Sequence, residues 1–464
     1  MSRSSSPGAG KANAAGILWR EGSAALRRGD SERAAILLAR MLRLAPGHAD
    51  AWNSLGVALR RLGRSDAAVP CFRRALALSP GMAEAAAGNL GNVLRDLGRF
   101  AESEAAFRRA MAAGGGPGTR YNYSLLLRDR NRLDAAIAMI EPALAAEPEN
   151  RRMVWDYALM LLQKGDWARG FTAYEARWNL PGVPPPASHA PRWGGEPPGG
   201  RALAVLCEQG MGDMVQFARY VPLIPGDGDR LILQVRAPLL PLLSCARELA
   251  GAVFVDREKP LPSHDLYVPI MSLPGLVDAR PDAVPPPLSF ALPGAARSRA
   301  AAMVPVRQGR RRIGIVWAGS AGHRNDRNRS AGLEAFLPVL GNPDWDVFSF
   351  QVGNRAADLA FAGLSALCTD LAPRLEDFLD TAAFLTRMDA VLAVDTCVAH
   401  VAGSLGVPTW IILPEAVDWR WNPDSGNTRW YPSVRIVRQN RQGDWESPIA
   451  LARQQMTEVL ARCP

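Results

Sequence analysis

Apolar positions in the first part of the chain recur at intervals of three and four residues, which predicts amphipathic helices. The stretch AWNSLGVALRRLGRSDAAVPCFRRALALSP (Ala51 to Pro80) holds two such helices, and its pattern returns after 34 to 35 residues. Small residues at Gly56 and Ala75 allow the two helices to approach closely, and Pro80 ends the second one. Glycines occupy two columns of the repeat: Gly22, Gly56 and Gly91, and Gly29, Gly63 and Gly98.

This repeat resembles the tetratricopeptide repeat. Two weaker copies follow, one through Ser124, Ala135 and Pro148 and one through Ala158, Gly165 and Tyr174. A single helical hairpin cannot bury its apolar face alone, so about five stacked copies predict an α-solenoid with a concave groove over residues 16–180. We expect the preceding residues 1–15, MSRSSSPGAGKANAA, to be disordered.

A different pattern follows a stretch rich in proline and glycine, residues 181–200, which we expect to be a linker. Buried strands then alternate with helical segments, and this predicts parallel sheets covered on both faces. The strand segments are RALAVL, RLILQV, AVFV and DLYVPI, and then IGIVWAGS, DVFSFQ, AVLAVD and TWIILP. Two such series predict an α/β fold with two Rossmann-like lobes, residues 201–305 and 306–464, that face each other across a cleft. The second lobe is expected to end in a helix.

Composition excludes several classes of protein. The net charge of +9 arises wholly within residues 1–180, and no stripe of aromatic residues accompanies it, so we expect no binding to nucleic acid. The six cysteines are scattered without a C-x-x-C pair, which indicates neither a zinc site nor a disulfide framework. The first residues lack an apolar signal segment, and no later apolar run is long enough to span a membrane. We expect a soluble, cytoplasmic protein.

Ligands of open parallel sheets bind beyond the carboxyl ends of the strands, and three segments fall at such positions. The first is CEQGMGDMVQFARY, in which Gly210 and Gly212 permit a tight turn and Asp213 stands at the start of a helix. Asp213 is a candidate functional carboxylate, although a helix cap explains it equally well.

The second segment is VWAGSAGHRNDRNRS, residues 316–330, a loop rich in glycine, serine and asparagine. It carries His323, Arg324, Arg327 and Arg329, and only Asp326 offsets their charge locally. Backbone amides together with guanidinium groups suit a phosphate or diphosphate. The alternative interpretation is a basic loop exposed to solvent.

The third segment, AVDTCVAHVAGSLGVP (residues 393–408), passes from a buried strand into a helix of small residues. Asp395 and Thr396 lie where that helix starts, and the amides and the positive end of the helix dipole there favour anions. We expect a diphosphate beside Thr396 and sugar hydroxyls donating to Asp395, with helix capping as the alternative role of that carboxylate. His400 is expected to be a helical residue that packs against its neighbours rather than one that acts in catalysis.

Together, GMGDMVQFARYVP, GIVWAGSAGHRNDRNRS and VDTCVAHVAGSLGVPTWIILP resemble the heptosyltransferase-type glycosyltransferases of family 9, in the bacterial branch with preceding tetratricopeptide repeats. The downstream DWRWNPDSGNTRWYPSVRIVRQNRQGDWESPI and the connector YEARWNLPG are similar to that branch as well. The resemblance implies a GT-B fold and inverting sugar transfer from a nucleotide-diphosphate donor, with no metal and no cofactor. It also implies that Asp213 is the general base. The donor site that it implies consists of Gly212, Trp317, Ser320, Arg324, Arg327, Arg329, Asp395, Thr396, Cys397, Val398 and His400.

Two questions stay open at this level. Heptosyltransferases place a lysine in the phosphate loop, and this chain offers Arg324, Arg327 or Arg329 instead. The acceptor is expected to be a glycan or a protein hydroxyl, with the repeats presenting the acceptor or a partner. The alternative function is that of a scaffold whose repeats bind partners and whose transferase lobes are degenerate. Release of nucleoside diphosphate from a donor and an acceptor would distinguish the two.

Overall fold

The computed structural model of the chain describes residues 7–226, 230–320, 322, 326–421 and 426–462, without the side chains of residues 7–10 and Arg327. The chain divides into two compact units, Met1–Met160 and Leu161–Pro464. The first unit is helical and the second is built on two parallel sheets. The predicted fold class, an α-solenoid followed by an α/β region with two Rossmann-like lobes, is confirmed. None of the described helices is long and apolar enough to cross a membrane.

The helices of the first unit form consecutive pairs that pack on one another. They are α1 Pro7–Arg27, α2 Ser31–Leu44, α3 Ala49–Arg61, α4 Ser65–Leu78, α5 Ala83–Asp96, α6 Phe100–Ala112, α7 Pro117–Asp129, α8 Leu133–Ala146 and α9 Arg151–Lys164, the last of which runs across the boundary. Because α1 begins at Pro7, the predicted disorder of residues 1–15 is wrong from that residue onward, and residues 1–6 lie outside the described part of the chain.

The glycine columns of the repeat explain this packing. A Cβ atom on Gly56 would lie 2.7 Å from the ring of Phe72, and one on Gly91 would lie 2.8 Å from the ring of Phe107. Each glycine therefore makes room for the aromatic side chain of the next helix. Gly63 adopts the left-handed backbone conformation (φ +73°) in the turn between α3 and α4, where a side chain would be strained.

The last predicted repeat is divided between the two units. Its second helix, α10 (Trp167–Tyr174), packs into the second unit, because Trp167 stacks on Trp430 with ring centroids 5.2 Å apart. Phe171 also meets Trp419 edge to face at 5.9 Å. The first compact unit thus ends at Met160, before the boundary at residue 180 that the sequence suggested.

The linker over residues 181–200 contains no helix or strand, but it is bound to the sheet that follows. The backbone amide of Trp193 donates to the carbonyl of Tyr267 at 2.8 Å, and the indole is only 1% exposed. Burial of this large side chain anchors the segment, so it is not a flexible tether.

The first lobe of the second unit contains four parallel strands in the order β3-β2-β1-β4. They are β1 Leu203–Leu206, β2 Leu231–Val235, β3 Val253–Asp256 and β4 Leu266–Pro269, all at predicted positions. Its helices include α11 Met211–Phe217, α12 Leu240–Leu243, α13 Leu273–Leu276 and α14 Gly294–Met303. A short turn, residues 207–210, joins the carboxyl end of β1 to helix α11.

The second lobe contains six parallel strands in the order β10-β9-β8-β5-β6-β7, which is the strand order of Rossmann folds. The strands are β5 Arg311–Val316, β6 Trp345–Ser349, β7 Thr369–Asp370, β8 Ala390–Val394, β9 Thr409–Leu413 and β10 Val434–Arg438. Its helices are α15 Asp326–Arg329, α16 Leu337–Leu340, α17 Asp358–Phe361, α18 Phe378–Leu385, α19 Cys397–Ser404 and α20 Glu446–Arg462. The strand order reverses between β5 and β8, where Val316 pairs with Ala393. The segments that leave these two strands therefore start side by side.

Candidate active site

The start of α19 carries a buried hydroxyl group that makes no hydrogen bond to any described residue. Thr396 occupies the N-cap in an extended conformation (φ −141°), but its side chain caps no amide. The residue is 9% exposed, and its hydroxyl is buried without a hydrogen-bond partner among the described residues. Unpaired buried hydroxyls are costly, and the first amides of a helix favour an anion.

Asp213 lies in the first turn of α11, and both of its oxygens accept hydrogen bonds. Oδ2 accepts from the amide of Gly210 at 2.9 Å, which closes the start of the helix. Oδ1 accepts from Nη2 of Arg420, a residue of the other lobe. The predicted capping role is therefore real, and it leaves the other oxygen bonded to the second lobe.

Helices α11 and α19 touch at their first turns. A Cβ atom on Gly212 would lie 2.8 Å from Cδ2 of His400 and 3.6 Å from Cα of Cys397. Only a glycine allows this approach, which brings the carboxylate of Asp213 and the start of α19 into one site.

His400 is a packed residue, as the sequence suggested. Its ring is 4% exposed and stacks on Trp421, with ring centroids 5.3 Å apart. Nδ1 lies 3.1 Å from the hydroxyl of Tyr431. Burial, with Arg420 and Arg219 nearby, lowers the pKa of His400 to about 3, so the imidazole is neutral at physiological pH.

The loop after β5 folds around a serine. Ser330 accepts a hydrogen bond from the amide of Gly319 at 2.9 Å and donates to Asp326 at 2.7 Å. A Cβ atom on Gly319 would lie 2.7 Å from Nη2 of Arg329, so this guanidinium lies directly against the backbone of the loop. The Nε of Arg329 is buried without a partner among the described residues, and Ser320 is exposed.

Charges of both signs meet at this site. Burial raises the pKa of Asp395, an effect that the neighbouring Arg329 opposes. Burial also raises the pKa of Asp418, but the attraction and hydrogen bonds of Arg420 together are the stronger effect and hold that pKa below its usual range. Asp395 therefore lies within the field of at least one guanidinium.

Comparisons with known proteins identify both parts of the chain. Profiles of the tetratricopeptide repeat match residues 20–83, 85–113 and 121–179. The profile of glycosyltransferase family 9 (heptosyltransferase) matches residues 348–413, which include the start of α19. The chain carries tetratricopeptide repeats and a glycosyltransferase family 9 domain.

Similar proteins come from several bacteria. Protein FlbA of Caulobacter vibrioides is 27% identical over 454 residues, which are 91% of this chain and 69% of FlbA. Among solved structures, the E. coli ADP-heptose lps heptosyltransferase II is 13% identical and covers 56% of this chain and 99% of its own, with a TM-score of 0.42. MamA from Desulfovibrio magneticus RS-1 is 23% identical and covers 36% of this chain and 92% of its own, with a TM-score of 0.31.

One predicted donor contact, that of the Trp317 side chain, is wrong. The ring of Trp317 is fully buried in the core of the lobe, and its Nε1 donates to Asp358 at 3.0 Å. The alternation of β5 continues into Trp317 and places Ile313, Ile315 and Trp317 in the same core cluster, so the indole belongs to the core. The side chain of Val398, another predicted donor residue, is also buried (8% exposed). Its contribution at the start of α19 is therefore limited to its backbone.

Of the three candidate arginines for the phosphate loop, the structure describes the side chain of Arg329 alone. Arg329 lies in the site, next to Gly319 and in the field of Asp395. Arg324 lies outside the described residues, as does the side chain of Arg327.

Arg420 and Asp418 are site residues that the sequence analysis missed. Arg420 donates from Nη2 to Asp213 and from Nη1 to Asp418, the latter at 2.7 Å. Its side chain is 11% exposed and lies over the ring of Trp419, 4.7 Å from the centroid. The motif DWRWNPD contains both residues, but a charged pair in an irregular segment gave no sign of its partner on the other lobe.

A buried ion pair holds the loop that leads to Asp213. Arg177, from the connector YEARWNLPG, donates from Nε and Nη2 to the two oxygens of Glu208 at 2.8 and 2.9 Å. The side chains are 3% and 10% exposed. Glu208 in turn accepts from the amide of Met271 at 3.0 Å. This fork fixes the turn between β1 and α11 and so the position of Asp213.

Proposed function

We propose that the chain transfers a sugar from a nucleotide-diphosphate donor to a hydroxyl of a glycan or protein, with inversion at the anomeric carbon and without a metal ion. The observation that carries the proposal is the contact between α11 and α19. It brings the helix turn that carries Asp213 against the start of α19, where the hydroxyl of Thr396 is buried without a partner among the described residues. A base and a site for a leaving diphosphate are the two parts that such a transfer needs.

In the proposed reaction, Asp213 accepts the proton of the acceptor hydroxyl while the hydroxyl oxygen forms a bond to the anomeric carbon. The bond between that carbon and the donor's phosphate oxygen breaks, and the nucleoside diphosphate leaves with the electron pair. The amides at the start of α19, the hydroxyl of Thr396 and the guanidinium of Arg329 stabilise the negative charge that develops there.

Asp395 is assigned the donor sugar in this proposal. Asp395 follows the end of β8 directly and lies within the field of Arg329, and its oxygens can accept hydrogen bonds from sugar hydroxyls. We further propose that the repeats recruit the acceptor or a partner protein and that the enzyme works in the cytoplasm.

Thermal melting in the presence of a panel of nucleotide sugars tests donor binding, because a ligand that binds only the folded state raises the melting temperature. The donor that does so is then mixed with candidate acceptors, and nucleoside-diphosphate release is measured. Asp213→Asn should lower turnover by about two or more orders of magnitude, as loss of a general base does. Asp282→Asn, an exposed carboxylate of the same lobe, is the control and should retain full turnover.

Donor binding without sugar transfer to any acceptor would instead favour the scaffold with degenerate lobes. Turnover by Asp213→Asn at the rate of the unaltered protein would remove this carboxylate from the mechanism.

A further inference from the structure

The contact between Asp213 and Arg420 conflicts with the role of Asp213 as a base. To take a proton, the carboxylate must offer an oxygen to the acceptor hydroxyl. Oδ2 is held by the amide of Gly210 at 2.9 Å, a bond that belongs to the helix start itself. Oδ1 is therefore the oxygen that can serve, and in this structure it is bound by Arg420.

The surroundings of Arg420 leave its guanidinium able to bind a further partner besides Asp213. Its guanidinium lies over Trp419, and the centroid of the Phe217 ring is 5.7 Å away, so aromatic rings set the orientation of the plane. Its Nε is buried and has no hydrogen-bond partner among the described residues. A guanidinium with a free edge donor and a fixed plane is suited to the paired oxygens of a phosphate.

The location of Arg420 also matches the anion position. Helix α11, which carries Asp213, touches α19 at Gly212, and the field of Arg420 reaches both Asp395 and His400. Arg420 is thus bonded to the candidate base and interacts electrostatically with residues on both sides of the start of α19. An ion pair that served only to join the lobes would add little stability, because the cost of desolvating two charges offsets their attraction.

We propose that Arg420 binds the diphosphate of the donor and, in doing so, exchanges the carboxylate of Asp213 for phosphate oxygens. This inference rests on the proposed function. The exchange frees Oδ1 of Asp213 for the acceptor hydroxyl and leaves Asp418 as the remaining carboxylate partner of the guanidinium. Donor binding then precedes productive acceptor binding, so the base becomes available only when a leaving group is in place.

A double-mutant cycle on ligand affinity tests the exchange. Calorimetry measures the affinity for nucleoside diphosphates (ADP, GDP, UDP and CDP) in the unaltered protein, Arg420→Gln, Asp213→Asn and the double variant. We expect Arg420→Gln to bind the preferred diphosphate at least tenfold more weakly and Asp213→Asn to bind it several-fold more tightly. In the Arg420→Gln background, the Asp213 substitution should have no further effect, because the competition that it relieves has been removed.

Three controls separate this mechanism from others. Asp282→Asn should bind as the unaltered protein does, and the corresponding nucleosides, which lack phosphate, should show no difference among the variants. Arg420→Lys keeps the charge and should lie between the unaltered protein and Arg420→Gln. Circular dichroism and thermal melting report whether each variant is folded, and if Arg420→Gln is not, the cycle is run with Arg420→Met, which also removes the charge.

Equal affinities in all variants would overturn the role of Arg420 while leaving the proposed function in place. The same applies if Asp213→Asn tightens binding equally with and without Arg420, since that would be simple relief of charge repulsion. Failure of the unaltered protein to bind any nucleoside diphosphate would overturn the proposed function and this inference with it.

Discussion

Gly212 of α11 and His400 of α19 lie so close that a Cβ atom on the glycine would be 2.8 Å from Cδ2 of the imidazole. Because His400 is buried against Trp421 and Tyr431, it cannot move aside easily. This contact therefore sets the distance between the candidate base, Asp213, and the start of α19.

Gly212→Ala should force the two helices apart and lower kcat by about ten- to a hundredfold, the cost of misplacing a reacting group by about 1 Å. Steady-state kinetics with the identified donor and acceptor measure the change. Gly294→Ala is the matched control, because Gly294 also lies in a first helical turn and a Cβ atom there has no neighbour within 4 Å. If both variants turn over at the original rate, the contact does not position Asp213.

The buried hydroxyl of Thr396 makes no hydrogen bond within the described part of the protein. Thr396→Val keeps the shape of the side chain and removes that group, so we expect equal or higher stability, by up to about 1 to 3 kcal/mol, together with weaker binding of nucleoside diphosphate. Denaturant unfolding and calorimetry measure the two effects.

Thr409→Val provides the opposite case for comparison. Thr409 is fully buried, but its hydroxyl donates to the carbonyl of Val407 at 2.9 Å. Its replacement should lower the free energy of unfolding by about 1 kcal/mol and leave nucleotide affinity unchanged. A Thr396→Val variant that loses stability but binds normally would show that this hydroxyl has a structural role only.

The strands and the segments that follow them could be predicted because burial imposes a simple pattern on the sequence. Asp395 comes directly after the apolar strand β8, and Asp213 lies in the first turn of the helix that follows the apolar strand β1. The rule that ligands bind at the carboxyl ends of parallel strands therefore made both residues candidates. β7 and β10 were not predicted. β7 has only two residues, both exposed, and β10 is an edge strand that is only partly buried.

Arg420 could not be predicted for a different reason. The described residues around it, 414–421, form no helix or strand, and its partner Asp213 is 207 positions away in the chain. Only the three-dimensional packing of the two lobes joins them. Trp317 is the reverse case, because the alternation of Ile313, Ile315 and Trp317 along β5 already indicated that its ring belongs to the core.

The repeat unit allows a test of the glycine columns within one helix. Gly91→Ala should lower the melting temperature, because the new methyl group would lie 2.8 Å from the ring of Phe107. Gly88→Ala in the same helix α5 has its nearest neighbour, the hydroxyl of Thr119, at 3.7 Å. Alanine there should stabilise the helix by up to about 1 kcal/mol. Equal melting temperatures for the two variants would refute the claim that Gly91 is needed to make room for the ring of Phe107.

His400 should make the second unit sensitive to acid. Burial lowers its pKa to about 3 in the folded protein, against 6.5 for an unperturbed histidine. Between these two pH values the unfolded chain binds a proton at this position and the folded protein does not. The free energy of unfolding therefore falls as the pH is lowered through this window, by at most about 1.4 kcal/mol per pH unit from this one group.

His400→Asn removes the titrating ring and retains a polar group near Tyr431. Its packing differs, so the absolute stability will change, but the slope of stability against pH is the informative quantity. Denaturant unfolding at intervals from pH 7 to pH 4 should give a shallower fall for His400→Asn than for the unaltered protein. His48→Asn, in the repeat unit, is the control and should retain the original slope in the transition of the second unit. Parallel slopes for all three proteins would mean that His400 does not stay neutral in the folded state.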